Sequence, residues 1–137
     1  MGKIAWDETL SVEVDEIDED HKRLVELFNL LNEAVFSEYE DASIKYIDAL
    51  LEELICLTVW HFRHEERLMI RYEYEKFDEH KAEHDDLIDS VRVLQKKFQD
   101  TNQSLTPTDI TFLKDWLTSH ILGQDMKMGF YLMTVME

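Results

Sequence analysis

Very little in this 137-residue chain punctuates it. With three glycines and one proline it carries few turn signals, which disfavours a fold of many short strands joined by tight turns. Its one cysteine, Cys56, has no internal partner, so no disulfide staples the fold, and a reducing compartment such as the cytoplasm is expected. Basic residues are scarce: 14 Lys and Arg stand against 31 Asp and Glu, a net charge of −17. A chain of that charge cannot neutralise phosphates, which excludes a nucleic-acid partner, and an anionic membrane surface would repel it. No apolar run of about 18 residues is present, so no membrane span is expected. No charged start followed by an apolar run opens the chain, so no secretion signal is expected either. What remains abundant is Leu, Glu, Lys, Ile, Met and Asp, a composition that suits a few long helices in one domain.

Residues 1–17 lack a helical period and read as an extended N-terminal arm, with Trp6, Leu10, Val12 and Val14 laid against the body. A first helix is expected from about Asp18–Asp20, with a stripe of Leu24, Val25, Phe28, Leu31 and Val35, and with His21 one turn before it. Residues 38–41 read as a connection. A second helix from about Ala42 to Ile70 has the stripe Ile47, Leu50, Leu54, Leu57, Thr58, His61, Glu65, Leu68 and Met69. Residues 72–75 break that pattern and predict a turn. A third helix over about 76–99 carries Phe77, His80, His84, Leu87, Ile88, Val91, Leu94 and Phe98 inward, and residues 100–105 read as a polar loop. The fourth helix starts most clearly, with Thr106 as N-cap, Pro107 in the first position and Asp109 in the first turn. Its stripe is Ile110, Leu113, Trp116, Leu117, His120 and Ile121, and Gly123 suits a helix end. Four amphipathic helices with short connections predict an all-α, antiparallel up-down-up-down bundle over 18–123, with a C-terminal segment over 124–137.

Five of the six histidines fall on inward stripes, spread over all four helices: His21, His61, His80, His84 and His120. One such histidine is ordinarily a satisfied core residue; five are not. Glu65 strengthens the pattern, because a carboxylate in an apolar stripe costs several kcal/mol unless it is paired, and no Lys or Arg lies on the stripes. A cation at the centre of the bundle resolves the problem. Asp125 lies five residues past His120, about 140° round an α-helix, so it reaches the centre only if the helix stops at Gly123 and frees the backbone. Five imidazoles and two carboxylates exceed the four ligands of a tetrahedral zinc and suit two metal ions. Imidazole plus carboxylate favours iron, with manganese, zinc or copper possible. No histidine has Glu three residues before it, which sets the chain apart from ferritin-like di-iron bundles. His64 lies about 60° off the stripe and is expected to be exposed.

The segments I-D-E-D-H-K around His21, H-F-R-H-E-E around His61 and Glu65, H-K-A-E-H for His80 and His84, and W-L-T-S-H-I-L-G-Q-D for His120 and Asp125 together resemble the hemerythrins, in particular the single-domain bacteriohemerythrins. The resemblance spans nearly the whole chain. It implies a non-heme di-iron site (Fe2+/Fe3+) with His80, His84 and His120 on one iron, and His21 and His61 on the other, which keeps an open position. Glu65 and Asp125 would bridge beside a hydroxide or oxide. It implies reversible binding of dioxygen by a carrier, store or scavenger rather than an enzyme. Sensing through a partner protein, or peroxide or nitric oxide turnover, are the alternatives. The chain ends about a dozen residues after Asp125 with no second domain, which favours a free oxygen binder over a fused sensor. Trp116, Leu117 and Ile121, flanking His120, are expected to line the oxygen pocket. Trp60 and Gln124 depart from the family's usual tyrosine and threonine, and neither removes a ligand.

Overall fold

The computed structural model of the protein describes residues 4–35, 44–101 and 105–136. Its helices are α1 (Asp15–Val35), α2 (Ile44–Arg71), α3 (Phe77–Thr101), α4 (Pro107–His120) and α5 (Met126–Val135). Helix α1 packs on α2, α2 on α3, α3 on α4 and α4 back on α1, so the four long elements close into a ring around a shared core. The expected all-α four-helix bundle is what forms. The connection expected over 38–41, and the expected start of α2 at Ala42, lie outside the described residues.

Three boundaries differ from the expected ones, each for a local reason. Helix α1 begins at Asp15 rather than at Asp18–Asp20. The Asp18 carboxylate turns back to accept bonds from Ser11 Oγ and from Val12 N–H (2.5 and 2.8 Å), so it clasps the arm from inside the first turn. Helix α3 runs on through Asp100 and Thr101, and Leu105, expected in a polar loop, is buried. Helix α4 does not stop at Gly123: the chain passes through one π-helical turn, Ile121–Asp125, straight into α5.

The other ends follow the chemistry read from the residues. Thr106 Oγ1 accepts from Asp109 N–H while Thr106 N–H donates to the Asp109 carboxylate (3.1 and 2.9 Å), a reciprocal cap with Pro107 behind it. Helix α2 ends where Glu73 takes a left-handed backbone (φ 54°). The Tyr74 and Glu73 amides then donate to the carbonyls of Met69 and Ile70, which is the usual way of satisfying the last helical carbonyls.

The arm is tied down at both ends. Ile4 exchanges two backbone bonds with the Asn29 amide of α1, both 2.8 Å, and Leu10, Val12 and Val14 are buried. Val12 sits directly on Gly129 of α5: a Cβ added there would lie 2.3 Å from the Val12 carbonyl oxygen. Helix propensity alone favours Ala over Gly by up to ~1 kcal/mol. We expect the opposite sign here. Gly129→Ala should destabilise the protein by ~1–3 kcal/mol, as overpacking does, because backbone rather than a pliable side chain must yield. Chemical denaturation of the two proteins checks the sign.

Candidate metal centre

The bundle interior carries an unusual load of polar atoms. His21, His61, Glu65, His80, His84, His120 and Asp125 are all buried. They come from α1, α2, α3, α4 and the π-turn. Spacing of four residues on α2 and α3 stacks His61 over Glu65 and His80 over His84 on one face each. Asp125 arrives differently from the expected route. Its backbone is helical (φ −69°, ψ −34°), and the π-turn, with its i→i+5 bonding, brings the fifth residue onto the face of the first. His120 Nε2 and Asp125 Oδ1 therefore lie 2.9 Å apart. One extra residue in the turn does what a helix stop was expected to do.

The two carboxylates divide the imidazoles. Glu65 Oε1 and Asp125 Oδ1 face His80, His84 and His120: His84 Nε2 is 2.9 Å from the former, and His80 Nε2 2.8 Å from the latter. Glu65 Oε2 and Asp125 Oδ2 face His21 and His61, at 3.0 Å from His61 Nε2 and 2.8 Å from His21 Nε2 respectively. Each carboxylate thus offers one oxygen to each group. The ligand-type atoms of each group, with Glu65 and Asp125 common to both, lie within 4.8 Å of one another. Two atoms each about 2.0–2.2 Å from one ion are at most about 4.4 Å apart, so shifts of a few tenths of an ångström close either set.

Among the described residues, all five Nε2 atoms and all four carboxylate oxygens are buried with no well-formed hydrogen-bond partner. Orphaned buried polar atoms are rare and costly. A pair of cations removes that cost, so these residues fit a two-metal centre.

Three further carboxylates fix the imidazoles from behind. His61 Nδ1–H donates to Asp20 Oδ2 (3.0 Å), His84 Nδ1–H to Glu66 Oε2 (2.9 Å) and His120 Nδ1–H to Glu83 Oε1 (3.1 Å). A proton held on Nδ1 leaves the Nε2 lone pair facing the centre, as a metal ligand requires. The pattern is regular: each carboxylate is the chain neighbour of one inward group and serves an imidazole on the next helix, α1 to α2, α2 to α3 and α3 to α4. Sequence reading passed over all three. The adjacency in D-H, E-E and E-H was the available signal. Phe62 was also missed; its ring stacks flat on His84, with centroids 3.8 Å apart. His64 is not the exposed residue expected. Its side chain is 19% exposed, and its Nδ1–H donates to the same Asp20 oxygen at 2.6 Å. Trp60 lies over it, half exposed.

Beside the two-histidine group is a small cavity lined by Leu24, Thr58, Phe62, Leu87, Trp116 and Leu117 together with His21, His61 and His120. The space open to the centre of a water-sized sphere is about 10 Å³, room for roughly one small molecule. Its accessible wall is apolar. The Thr58 hydroxyl is committed to the Leu54 carbonyl (2.7 Å), and the Trp116 indole N–H to the Leu87 carbonyl (3.2 Å). Trp116 and Leu117 are among the residues lining this cavity, and Ile121's side chain lies outside the described residues.

Without metal, protons stand in for the cations. Burial works against charge on His61 and His80. The Glu65 carboxylate, with Asp20, outweighs it at His61 and holds the pKa up at about 10. Asp125 and Glu65 do the same at His80, holding it at about 9. Burial likewise opposes ionisation of Glu65 and Asp125, and the surrounding imidazoles keep both below the usual carboxylate range. The raised imidazoles contribute stability that is complete below their ordinary value of about 6.5 and is lost as pH rises through about 9–10. The depressed carboxylates contribute stability present above about pH 4 that is lost as pH falls below it. The metal-free protein should therefore be most stable between these limits, and metal uptake at pH 7 should release protons. Thermal unfolding of metal-free protein from pH 4 to 10 checks the first, and metal titration in weakly buffered solution the second.

The chain is similar to known proteins over most of its length. The hemerythrin HHE cation binding domain matches residues 12–129. A bacteriohemerythrin of Methylococcus capsulatus is 33% identical over 82% of this chain and 82% of its own. A myohemerythrin of Theromyzon tessulatum is 32% identical over 89% of this chain and 88% of its own. Among solved structures, wild-type hemerythrin superposes with a TM-score of 0.84 at 31% identity, covering 94% of this chain and 97% of that one. With a family match across most of its length and relatives above 30% identity, the chain belongs to the hemerythrin family.

Proposed function

We propose that the protein binds dioxygen reversibly at a non-heme di-iron centre, as a carrier, store or scavenger. His80, His84 and His120 would hold one iron, His21 and His61 the other, and Glu65 and Asp125 would bridge the two, beside a hydroxide or oxide. An iron pair supplies reversible two-electron exchange with dioxygen, starting from the ferrous state. The observation that carries the reading is the asymmetry of the site. Both imidazoles of the two-histidine side, but only His120 of the other three, line the small apolar cavity, which suits a neutral diatomic ligand better than a charged or bulky substrate.

The chain's own residues supply what reversibility needs. Asp20, Glu66 and Glu83 hold three imidazoles in register. Leu24, Phe62, Leu87, Trp116 and Leu117 line the cavity with apolar side chains, which offer water few partners, and excluding water suppresses side reactions. Among the described residues, no titratable side chain lines the cavity except three of the proposed ligands. No spare acid or base is therefore poised there for turnover, which favours binding over enzymatic chemistry. We place the protein in the cytoplasm, where its single cysteine would stay reduced.

Gas-uptake measurement on the ferrous protein tests this. We expect about one dioxygen taken up per two irons and released under vacuum. Continuous consumption in the presence of a reductant would instead identify an oxidase.

A further inference from the structure

Glu83 serves one imidazole, and Glu66 serves His84 through one oxygen while Arg63 binds the other (2.6 Å). Asp20 is different. A single atom, Oδ2, accepts both from His61 Nδ1–H at 3.0 Å and from His64 Nδ1–H at 2.6 Å. The closer partner is not a metal-ligand candidate: His64 Nε2 faces Glu16 at 3.9 Å, away from the centre. Asp20 is buried, so water does not dilute the competition between its two donors.

We propose that His64 is a positioning residue that sets the reduction potential of the two-histidine side of the centre by sharing the Asp20 oxygen with His61. An anionic acceptor on Nδ1 makes an imidazole a stronger donor to its metal, and stronger donation favours the ferric state. Each donor that the same oxygen serves weakens its bond to the other. His64 thus draws off part of the carboxylate's effect on His61, holds the oxygen-facing iron at a higher potential and resists its permanent oxidation. Among the described residues, His80 has no partner on its buried Nδ1, and the carboxylates serving His84 and His120 are shared with no second imidazole, so these three are not adjusted in this way. The inference rests on the proposed di-iron reading for its redox consequence, but the hydrogen-bond competition itself does not.

Two variants should move the potential in opposite directions. His64→Phe keeps a ring and removes the competing donor, so the potential should fall by the equivalent of about a tenfold change in the ferrous-to-ferric ratio, about 59 mV for a one-electron couple. Asp20→Asn removes the anion, so the potential should rise, with metal affinity weaker by about 10- to 100-fold. In the Asp20→Asn background, His64→Phe should have no further effect, because its influence passes through Asp20. A residue acting only on structure would shift both backgrounds alike. Zinc-loaded protein gives a readout that needs no iron chemistry: the His61 Nδ1 proton resonance should move downfield in His64→Phe. If the parent fails to hold two irons while that proton still responds, the di-iron reading fails and the shared hydrogen bond stands. If the proton does not move, or the potential changes equally with and without Asp20, the proposal is overturned.

Discussion

Glu65→Ala should leave the protein nearly free of metal. Its two oxygens face opposite groups, Oε1 toward His84 and Oε2 toward His61, at 2.9 and 3.0 Å, so one substitution removes a ligand from both proposed ions. Loss of a residue that merely supports a ligand weakens metal binding by about 10- to 100-fold, and loss of a shared ligand should exceed that. The comparison that isolates the bridging role is Glu66→Gln. Glu66 is the adjacent residue, also buried, and touches the centre only through His84 Nδ1. Elemental analysis after identical anaerobic loading should find Glu66→Gln retaining most of its iron and Glu65→Ala almost none. Equal iron in the two variants would show that Glu65 is not shared between two ions.

Leu117→Asn should keep both irons and shorten the life of the oxygenated form. No proposed ligand is altered, since Leu117 lies three residues before His120 and contributes wall rather than ligand. The amide that replaces it brings donors and an acceptor to a cavity whose wall is otherwise apolar. Those groups are costly to bury alone, so they recruit water. Water beside the open position promotes irreversible oxidation of the centre. We expect decay faster by at least about tenfold, equivalent to ~1.4 kcal/mol of barrier. Following the visible absorption of oxygenated parent and variant in air, with iron content measured in parallel, checks it. Unchanged decay at full iron content removes Leu117 from the guarding role. Thr58→Val makes a useful control: its hydroxyl already points to the Leu54 carbonyl, so replacing it should not change decay.

Six of the seven central side chains were legible in the sequence because each is conspicuous where it stands. A carboxylate such as Glu65 on an apolar stripe has no inexpensive explanation without a counter-charge, and a histidine on the same face of each of four helices repeats the message. Asp20, Glu66 and Glu83 were illegible for the converse reason. In a chain with 31 acidic residues, a carboxylate at the edge of a stripe looks like solvated surface, and what gives each its role is an imidazole on a neighbouring helix. His64 was misjudged on the same ground. Its angle on α2 points aside, but Asp20 reaches across from α1 to meet it. The route taken by Asp125 was hidden because ILGQD carries no signature that separates a π-turn from a helix stop at Gly123. The capping pair Thr106–Asp109, wholly local in sequence, was read correctly.

Cycling between argon and oxygen tests whether two irons at this centre take up oxygen and give it back. Protein loaded with ferrous iron under argon is exposed to oxygen, returned to argon and exposed again, with its absorption spectrum recorded at each stage. A charge-transfer band should appear with oxygen, disappear without it and return at nearly its first intensity, from protein holding about two irons per chain. A protein holding a single metal ion, or one whose first exposure bleaches irreversibly to the ferric form, contradicts reversible binding at two irons.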